Sequence, residues 1–442
     1  MSRYPRFAGR FAGQPTRALV RTIAQTTTQV IVMGVALTYV SGLSAAEPDS
    51  LSNAFTNIKP IVDARVRHEY VDQEPLSEES DASTLRLRLG FETGKAWNTS
   101  LLAEGEFVWP FAGDYRDDNS IATNTAYPVI PDPESYELNR LQLTNTSLPG
   151  TTITVGRQRI LLDDHRFVGN VGWRQNEQTF DAVRIVNKPM APLTIDVTYL
   201  NRVNRVFGPD SPQGRYKGDG YLGNVSYQTP LGKLTGFGYV LDFDPIATLP
   251  AAMNPIRSST QTIGLRFAGE RPVGEFKLAY VASYATQEDH GLNPFAFDLD
   301  YYLAELTGTV QRFSVTLGQE VLEGNGAVGF ATPLATLHKF NGWSDKFLVT
   351  PPNGLDDRYA SVSYAHKGLG VLDTLSASVA YHTYETERAG FDLGKEINLQ
   401  VQAKWQRFTG TLKYADYDAK PVMATAAYQD TVKYWVMMDY VW

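Results

Sequence analysis

Residues 431–442 read T-V-K-Y-W-V-M-M-D-Y-V-W, and their alternation decides the fold. Val432, Tyr434, Val436, Met438, Tyr440 and Trp442 fall on one face at period two. Thr431, Lys433, Trp435, Met437 and Asp439 share the other face, which carries the charges. Successive side chains of a strand point to opposite faces, so one face of this strand suits lipid and the other water. A final strand of this kind, ending on an aromatic, is what closes an outer-membrane β-barrel.

Working back from it, the same alternation predicts about eighteen segments, most near ten residues, the length that a tilted strand needs to cross the hydrocarbon core. The segments run from 58–71, 84–93 and 99–109 through 151–160 and 177–187 to 394–406, 407–417 and 430–442. The links alternate as well. Short ones are read at Gly94–Asn98, Ser147–Gly150, Thr229–Gly232, Gly269–Pro272, Gln311, Lys367–Asp373 and Gln406–Arg407. Long ones fall at 110–134, 161–176, 204–219, 244–257 and 323–356. Long loops outside and short turns facing the periplasm are the pattern of such barrels. The expected fold is therefore all-β, a transmembrane antiparallel barrel of about eighteen strands over 47–442, with no N-terminal plug domain. The loop 323–356, rich in Gly and Pro, is a candidate to fold into the lumen from outside.

Ahead of the barrel stand five Arg (Arg3, Arg6, Arg10, Arg17 and Arg21) with no acid, an apolar run Val30–Ser41, and small residues at Ser44 and Ala46. That order reads as a secretory signal peptide over 1–46. Removing those five Arg takes the net charge from −8 to −13. The acids gather in loops, as at Glu74, Glu78, Glu79 and Asp81, so this total does not describe the lumen. The chain has no Cys, hence neither disulfides nor thiolate metal sites, and its 24 Tyr and 21 Phe suffice for interfacial girdles.

The charged face is the informative one. Lys59, Asp63, Arg65, Arg67 and Glu69 point inward from the first strand, opposite Val62, Ala64, Val66 and Tyr70. Arg86, Arg88 and Glu92 do so from the second, and Glu104 and Glu106 from the third. Arg140, Arg266, Glu275, Lys277, Arg312, Glu320, Glu396, Lys404, Arg407 and Lys413 are also assigned to the non-lipid face. Each assignment has a physical basis, because a charge turned to lipid near midplane costs about 2–4 kcal/mol. Two readings follow. The arginines line a cationic constriction that draws anions through a water-filled pore, or they are struts in Arg–carboxylate ladders that stiffen the wall.

The run 154–186, T-V-G-R-Q-R-I-L-L-D-D-H-R-F-V-G-N-V-G-W-R-Q-N-E-Q-T-F-D-A-V-R-I-V, resembles the alginate export family of outer-membrane porins. That family carries a run of the form G-R-Q-R … D-D-R … W-R … F-D-A-V, and the likeness is strongest over 135–205. The resemblance implies an eighteen-stranded barrel with an Arg-lined pore for a polyanionic polysaccharide. It carries Arg157 and Arg159 onto the family's arginines, Asp163 and Asp164 onto its acidic pair, and Asp181 onto the aspartate of F-D-A-V. These acids are read as holding Arg157 and Arg159 in place. Strict alternation, however, puts both arginines on the side of Ile153 and Val155, which look lipid-facing. A bulge at Gly156 that turns the strand is the expected remedy, and a position at the rim is the alternative.

The function expected is passive diffusion of anionic sugars, alginate or other uronates, with alginate export as a sub-case. A non-selective porin and an adhesion or receptor barrel acting through its long loops are the alternatives. Catalysis is not expected, since no G-x-S-x-G occurs and the six His show no ligand or triad spacing. No cofactor or metal is expected. The partners expected are outer-membrane lipid and lipopolysaccharide, an anionic saccharide and the barrel-assembly machinery, with no nucleic acid, for a monomer.

Overall fold

A computed structural model describes residues 51–118, 124–420 and 428–442. The signal-peptide segment lies outside these residues. A short helix, α1 (Leu51–Thr56), precedes eighteen strands: β1 (Lys59–Gln73), β2 (Ser80–Glu92), β3 (Thr99–Ala112), β4 (Ser135–Asn145), β5 (Thr151–Gln158), β6 (Thr179–Met190), β7 (Leu193–Asn204), β8 (Arg215–Thr229) and β9 (Gly232–Phe243). The second half comprises β10 (Thr260–Val273), β11 (Phe276–Asp289), β12 (Asp298–Val310), β13 (Phe313–Leu322), β14 (Leu355–Leu369), β15 (Leu372–Glu385), β16 (Asp392–Trp405), β17 (Phe408–Ala419) and β18 (Thr431–Val441). Every strand pairs antiparallel with its sequence neighbours, and β18 returns to β1, with Asp63 opposite Val441 and Gln73 opposite Thr431. Closure leaves no open edge, which is how a sheet satisfies its backbone polar groups in hydrocarbon. No helix among the described residues is long and apolar enough to cross a membrane.

The outer face carries the apolar half of each alternation. Leu143, Val155, Val183, Leu265, Leu306, Leu317, Val362, Leu399, Leu412 and Val436 are all exposed. Together with the closed barrel, this belt places the protein in the cell outer membrane. At one end the strands join through links as tight as Pro230–Leu231, Gly274–Glu275, Gln311–Arg312 and Gln406–Arg407. At the other end they join through loops that include 113–134, 159–178 and 323–354.

Each expected segment is a strand, with corrections at its ends: β14 and β15 take up all of Lys367–Asp373 but 370–371, and β8 begins at Arg215, inside the link expected over 204–219. The expected turn at Gly269–Pro272 belongs to β10, which runs on with Pro272 opposite Lys277. Gly274, at a φ of +61°, takes the turn instead, a conformation glycine adopts at no steric cost. Glu275, Arg312 and Arg407, expected on the lumen wall, sit in two-residue turns. Arg407 lies over the Trp442 ring, 3.6 Å from its centroid, at the short-turn mouth.

Two long loops run into the barrel and pack on each other. Ile160, Leu162 and Val168 from the β5–β6 loop and Phe330 and Leu334 from the β13–β14 loop join one buried core. Phe180, Leu222, Phe237, Tyr301 and Leu322 complete it from the inner wall. The two loops also pair as backbone, Gly169 N–H donating to the Leu334 carbonyl at 2.8 Å. The sequence marked 323–356 as a loop that could fold inward; the β5–β6 loop is the one it left outside.

Candidate functional site: a charged lumen crossed by two loops

The β5–β6 loop spans the lumen, and charged groups fix both of its ends. On the β1–β3 side, Arg174 bonds Glu69 at 3.0 Å, and Arg65 donates to the Trp173 carbonyl at 3.0 Å. On the opposite side, Asp163 takes Lys233 at 2.7 Å, Asp164 takes Arg266 at 2.9 Å, and Arg166 bonds Glu320 at 2.7 Å. The β13–β14 loop is tied similarly: Asp345 to Arg174 at 2.9 Å and to Lys433 at 3.3 Å, Asn341 to Glu320 at 2.7 Å, and the Ser344 N–H to Glu396 at 2.9 Å.

This arrangement divides the sequence-picked arginines into two groups. Arg67 and Arg86 have about no exposed surface (0% and 1%), and Arg88 has little more (4%). Arg67 bonds Asp132 of the β3–β4 loop at 2.8 Å and the Trp173 carbonyl, its guanidinium 4.6 Å from the Trp173 ring centroid. Arg86 bonds Asp63, and Arg88 bonds Glu106. All three, expected to line the constriction, are buried struts: Arg67 and Arg88 reach the β3–β4 and β5–β6 loops, while Arg86 ties β2 to β1. Alternation could say that they point inward, but not that a loop covers them.

The solvent-reaching cations of the cluster are others. Arg65 on β1 is held by Asp439 at 2.6 Å. Arg140 on β4 forks onto Glu104 at 2.8 and 2.6 Å. Arg159, just past β5, bonds Glu177 at 2.6 Å. Their side chains keep 14%, 14% and 26% of their surface. Arg140 and Arg159 pair through Nε and Nη2 and keep Nη1 for a passing carboxylate, whereas Arg65 spends Nε on Asp439 and Nη1 on the loop carbonyl of Trp173 and keeps Nη2. Lys404 stands apart on the lumen face of β16 near the short-turn end, exposed.

The motif arginines part company. The β5 register is continuous through Gly156, with Leu141, Arg157 and Asp181 side by side. Leu141, Val155 and Val183 are exposed on the outer face, so Arg157 and Asp181 face outward too. Arg157 pairs with Asp181 at 2.7 Å near the long-loop end of its strand. The expected bulge at Gly156 is absent from the register: Gly156 absorbs a φ of +117° without shifting the pairing. Arg159 turns inward because the strand has ended at Gln158. Asp163 and Asp164 hold neither arginine, and anchor the loop across the lumen instead.

The sequence reading missed Asp132, Arg166, Arg174, Glu177 and Asp345. Although burial opposes it, Arg88 and Arg159 hold the Glu177 carboxyl down to about 2, and Arg67 and Arg174 likewise hold Asp132 below the usual range. Arg174 and Glu177 lie inside the run W-R-Q-N-E, where an Arg three residues before a Glu could have flagged them.

A second constellation closes the loop pair. Lys413 of β17 sits 3.7 Å from the Trp343 centroid, 3.9 Å from that of Trp173 and 5.4 Å from that of Trp435. It is also 2.8 Å from His338 Nε2, while His338 Nδ1 is 2.8 Å from Asp345 and the imidazole stacks on Trp173 at 4.4 Å. The charges are consistent with Nε2 accepting from Lys413 and Nδ1–H donating to Asp345. Burial first, with the Lys413 charge adding, pushes the His338 imidazolium down to about 3. A released loop regains the ordinary value near 6.5, so between these limits the released form binds more protons. Docking therefore weakens as pH falls through this window, by about 2 kcal/mol at pH 5 for this group alone. We expect limited proteolysis in 323–354 to accelerate from pH 7 to pH 5, and His338→Gln to flatten that dependence. An equally steep profile in the variant would show that another group governs release.

No family model matches the chain, and no curated protein matches it by sequence. Solved structures do match in fold. Pseudomonas aeruginosa OpdO aligns over 88% of this chain and 98% of its own, with a TM-score of 0.63 and 14% identity. Pseudomonas aeruginosa OpdK, solved with vanillate, aligns over 87% and 98% (TM-score 0.62, 15% identity), and Acinetobacter baumannii OccAB2 over 87% and 98% (TM-score 0.62, 16% identity). The fold that this chain shares with them is the closed eighteen-stranded antiparallel barrel of the outer membrane. Membership of the alginate export family is not shown, and that resemblance rests on the run 154–186.

Proposed function

We propose that the protein is a diffusion channel for small organic anions, sugar acids of the uronate type foremost. The observation that carries the reading is the row of partly exposed guanidinium groups at Arg65, Arg140 and Arg159, beside loops that narrow the lumen. A planar fork pairs a carboxylate through two parallel hydrogen bonds, so such a row favours carboxylates over chloride and over cations. Passage of a long alginate chain is disfavoured on the same grounds, because two loops tied to opposite walls lie across the lumen. The test is the reversal potential of single channels across a salt gradient, with block by galacturonate and by oligouronates. Arg65/Arg140/Arg159→Ser should lose both anion preference and saturable block. A cation-selective or indifferent wild-type pore would leave the arginines as struts and favour a general porin or a loop-borne adhesion role.

A further inference from the structure

The outward arginine of the motif belongs to a larger patch. In the ladder beyond it, Arg157 is opposite Asp181, Asp181 opposite Arg202, and Arg202 opposite Lys217, while Arg215 is opposite Asn204. Residues directly paired in a sheet share a face. These four cations therefore stand together on the outer wall of β5–β8 at the long-loop end. Arg215 and Lys217 are exposed and have no ion pair among the described residues. Arg202 reaches Asp181 at 3.2 Å through one nitrogen, and its Nε has no protein partner. The acids of the sector are Asp181, shared by Arg157 and Arg202, Asp219, which accepts from Tyr199 at 2.7 Å, and Glu137 of β4, which feels the charges of Arg157 and Arg215; four cations thus face three acids.

Position and contrast give the patch its meaning. Tyr199 and Tyr221 pair directly beneath it, both exposed, their rings 5.4 Å apart. Exposed tyrosines on a barrel wall mark the level of the lipid headgroups. Arg202, Lys217 and Arg215 lie one step beyond them, at headgroup height and past the hydrocarbon. Elsewhere acids predominate among the outward charged residues at this end, at Asp72, Asp81, Asp356, Glu385, Asp416 and Asp418. The outward cations there, Arg358 and Lys395, are matched by Asp356 at 2.6 Å and Asp418 at 3.1 Å. One sector thus offers uncompensated positive charge in a rim that is otherwise negative.

We propose that Arg202, Arg215 and Lys217, steadied by the Arg157–Asp181 pair, form a binding site for the phosphorylated headgroup of an outer-leaflet glycolipid. The acidic remainder of the rim meets such headgroups only through bridging divalent cations, so this sector holds its lipid when those ions are removed. The assignment is independent of what the channel conducts.

The test uses the full barrel, purified with a chelator and titrated with bis-phosphorylated lipid A or with its dephosphorylated form, read by native mass spectrometry. The wild type should prefer the phosphorylated lipid. Arg202→Ser/Arg215→Ser/Lys217→Ser should lose roughly a hundredfold in affinity, at about fivefold per cation near an anionic headgroup. Arg358→Ser/Lys395→Ser, from the matched part of the rim, should retain wild-type binding. Heat-dependent gel mobility establishes that each variant is folded. Equal binding of the two lipids, or equal loss in the control variant, overturns the proposal. Pyrophosphate that binds as tightly as the lipid also overturns it, since the site would then serve a soluble anion.

Discussion

Replacing residues 324–353 by an Asn-Gly turn should raise single-channel conductance several-fold while leaving the barrel intact. The ladder ends with Leu322 opposite Leu355, so a two-residue turn can close the hairpin directly. The excised segment includes Phe330, Leu334 and Phe347, which lie in the core inside the barrel, and Asp345, which ties the loop to Arg174 and Lys433. Its loss unclamps the β5–β6 loop at the Gly169–Leu334 and Val171–Thr336 bonds as well. An eighteen-stranded wall without inward loops encloses an aqueous channel, so conductance is set by how much of that channel the loops fill. Anion preference should fall with the narrowing, because the field of Arg65 is strongest where low-dielectric walls lie close. Unchanged conductance would mean that the current flows by a path that the loop never blocks.

What the sequence made legible follows from which constraint acted on it. Lipid demands an apolar side chain at every second position of every strand. Runs such as Leu85-Arg86-Leu87-Arg88-Leu89 therefore announce both the strand and its inward face. The lumen imposes no such rule. Arg65 and Arg67 read alike, two residues apart on one face, yet one keeps 14% of its side-chain surface and the other none. The cover comes from Asp132 and Trp173, 65 and 106 residues away in the chain. No local pattern encodes a contact of that span. Arg157 shows the converse. Alternation placed it outward, and the outward place is correct. A lumen role would need a bulge at Gly156, and an arginine on a barrel's outer face looks misplaced until the strand's height is known. Near the end of the strand, beyond the Tyr199–Tyr221 pair, it is not in hydrocarbon at all.

Arg67→Met should destabilise the docked loops by about 3–5 kcal/mol, the usual cost of removing one member of a buried ionic cluster. The guanidinium lies between Asp132 at 2.8 Å and Glu69 at 3.7 Å, all three side chains without exposed surface. Methionine nearly fills the volume, so the loss is of charge and hydrogen bonds rather than of packing. It leaves Asp132 and Glu69 to share Arg174 alone, which lies 3.9 Å from the former and 3.0 Å from the latter. One uncompensated carboxylate is then confined away from water, and the Trp173 carbonyl loses a donor. The measurement is proteolysis of 159–178 as a function of denaturant, with gel mobility reporting the barrel separately. The barrel should hold while the loop is released. Arg67→Met/Asp132→Asn should recover much of the loss, because the second change removes the stranded charge. The same pair of variants separates a strut from a selectivity residue. If Arg67 serves only to hold the loop, the double variant regains the wild-type reversal potential along with loop protection. If the double variant is protected but has lost anion preference, the field of Arg67 reaches the permeating ion. The division of the arginines into buried struts and wet contacts would then have to be redrawn.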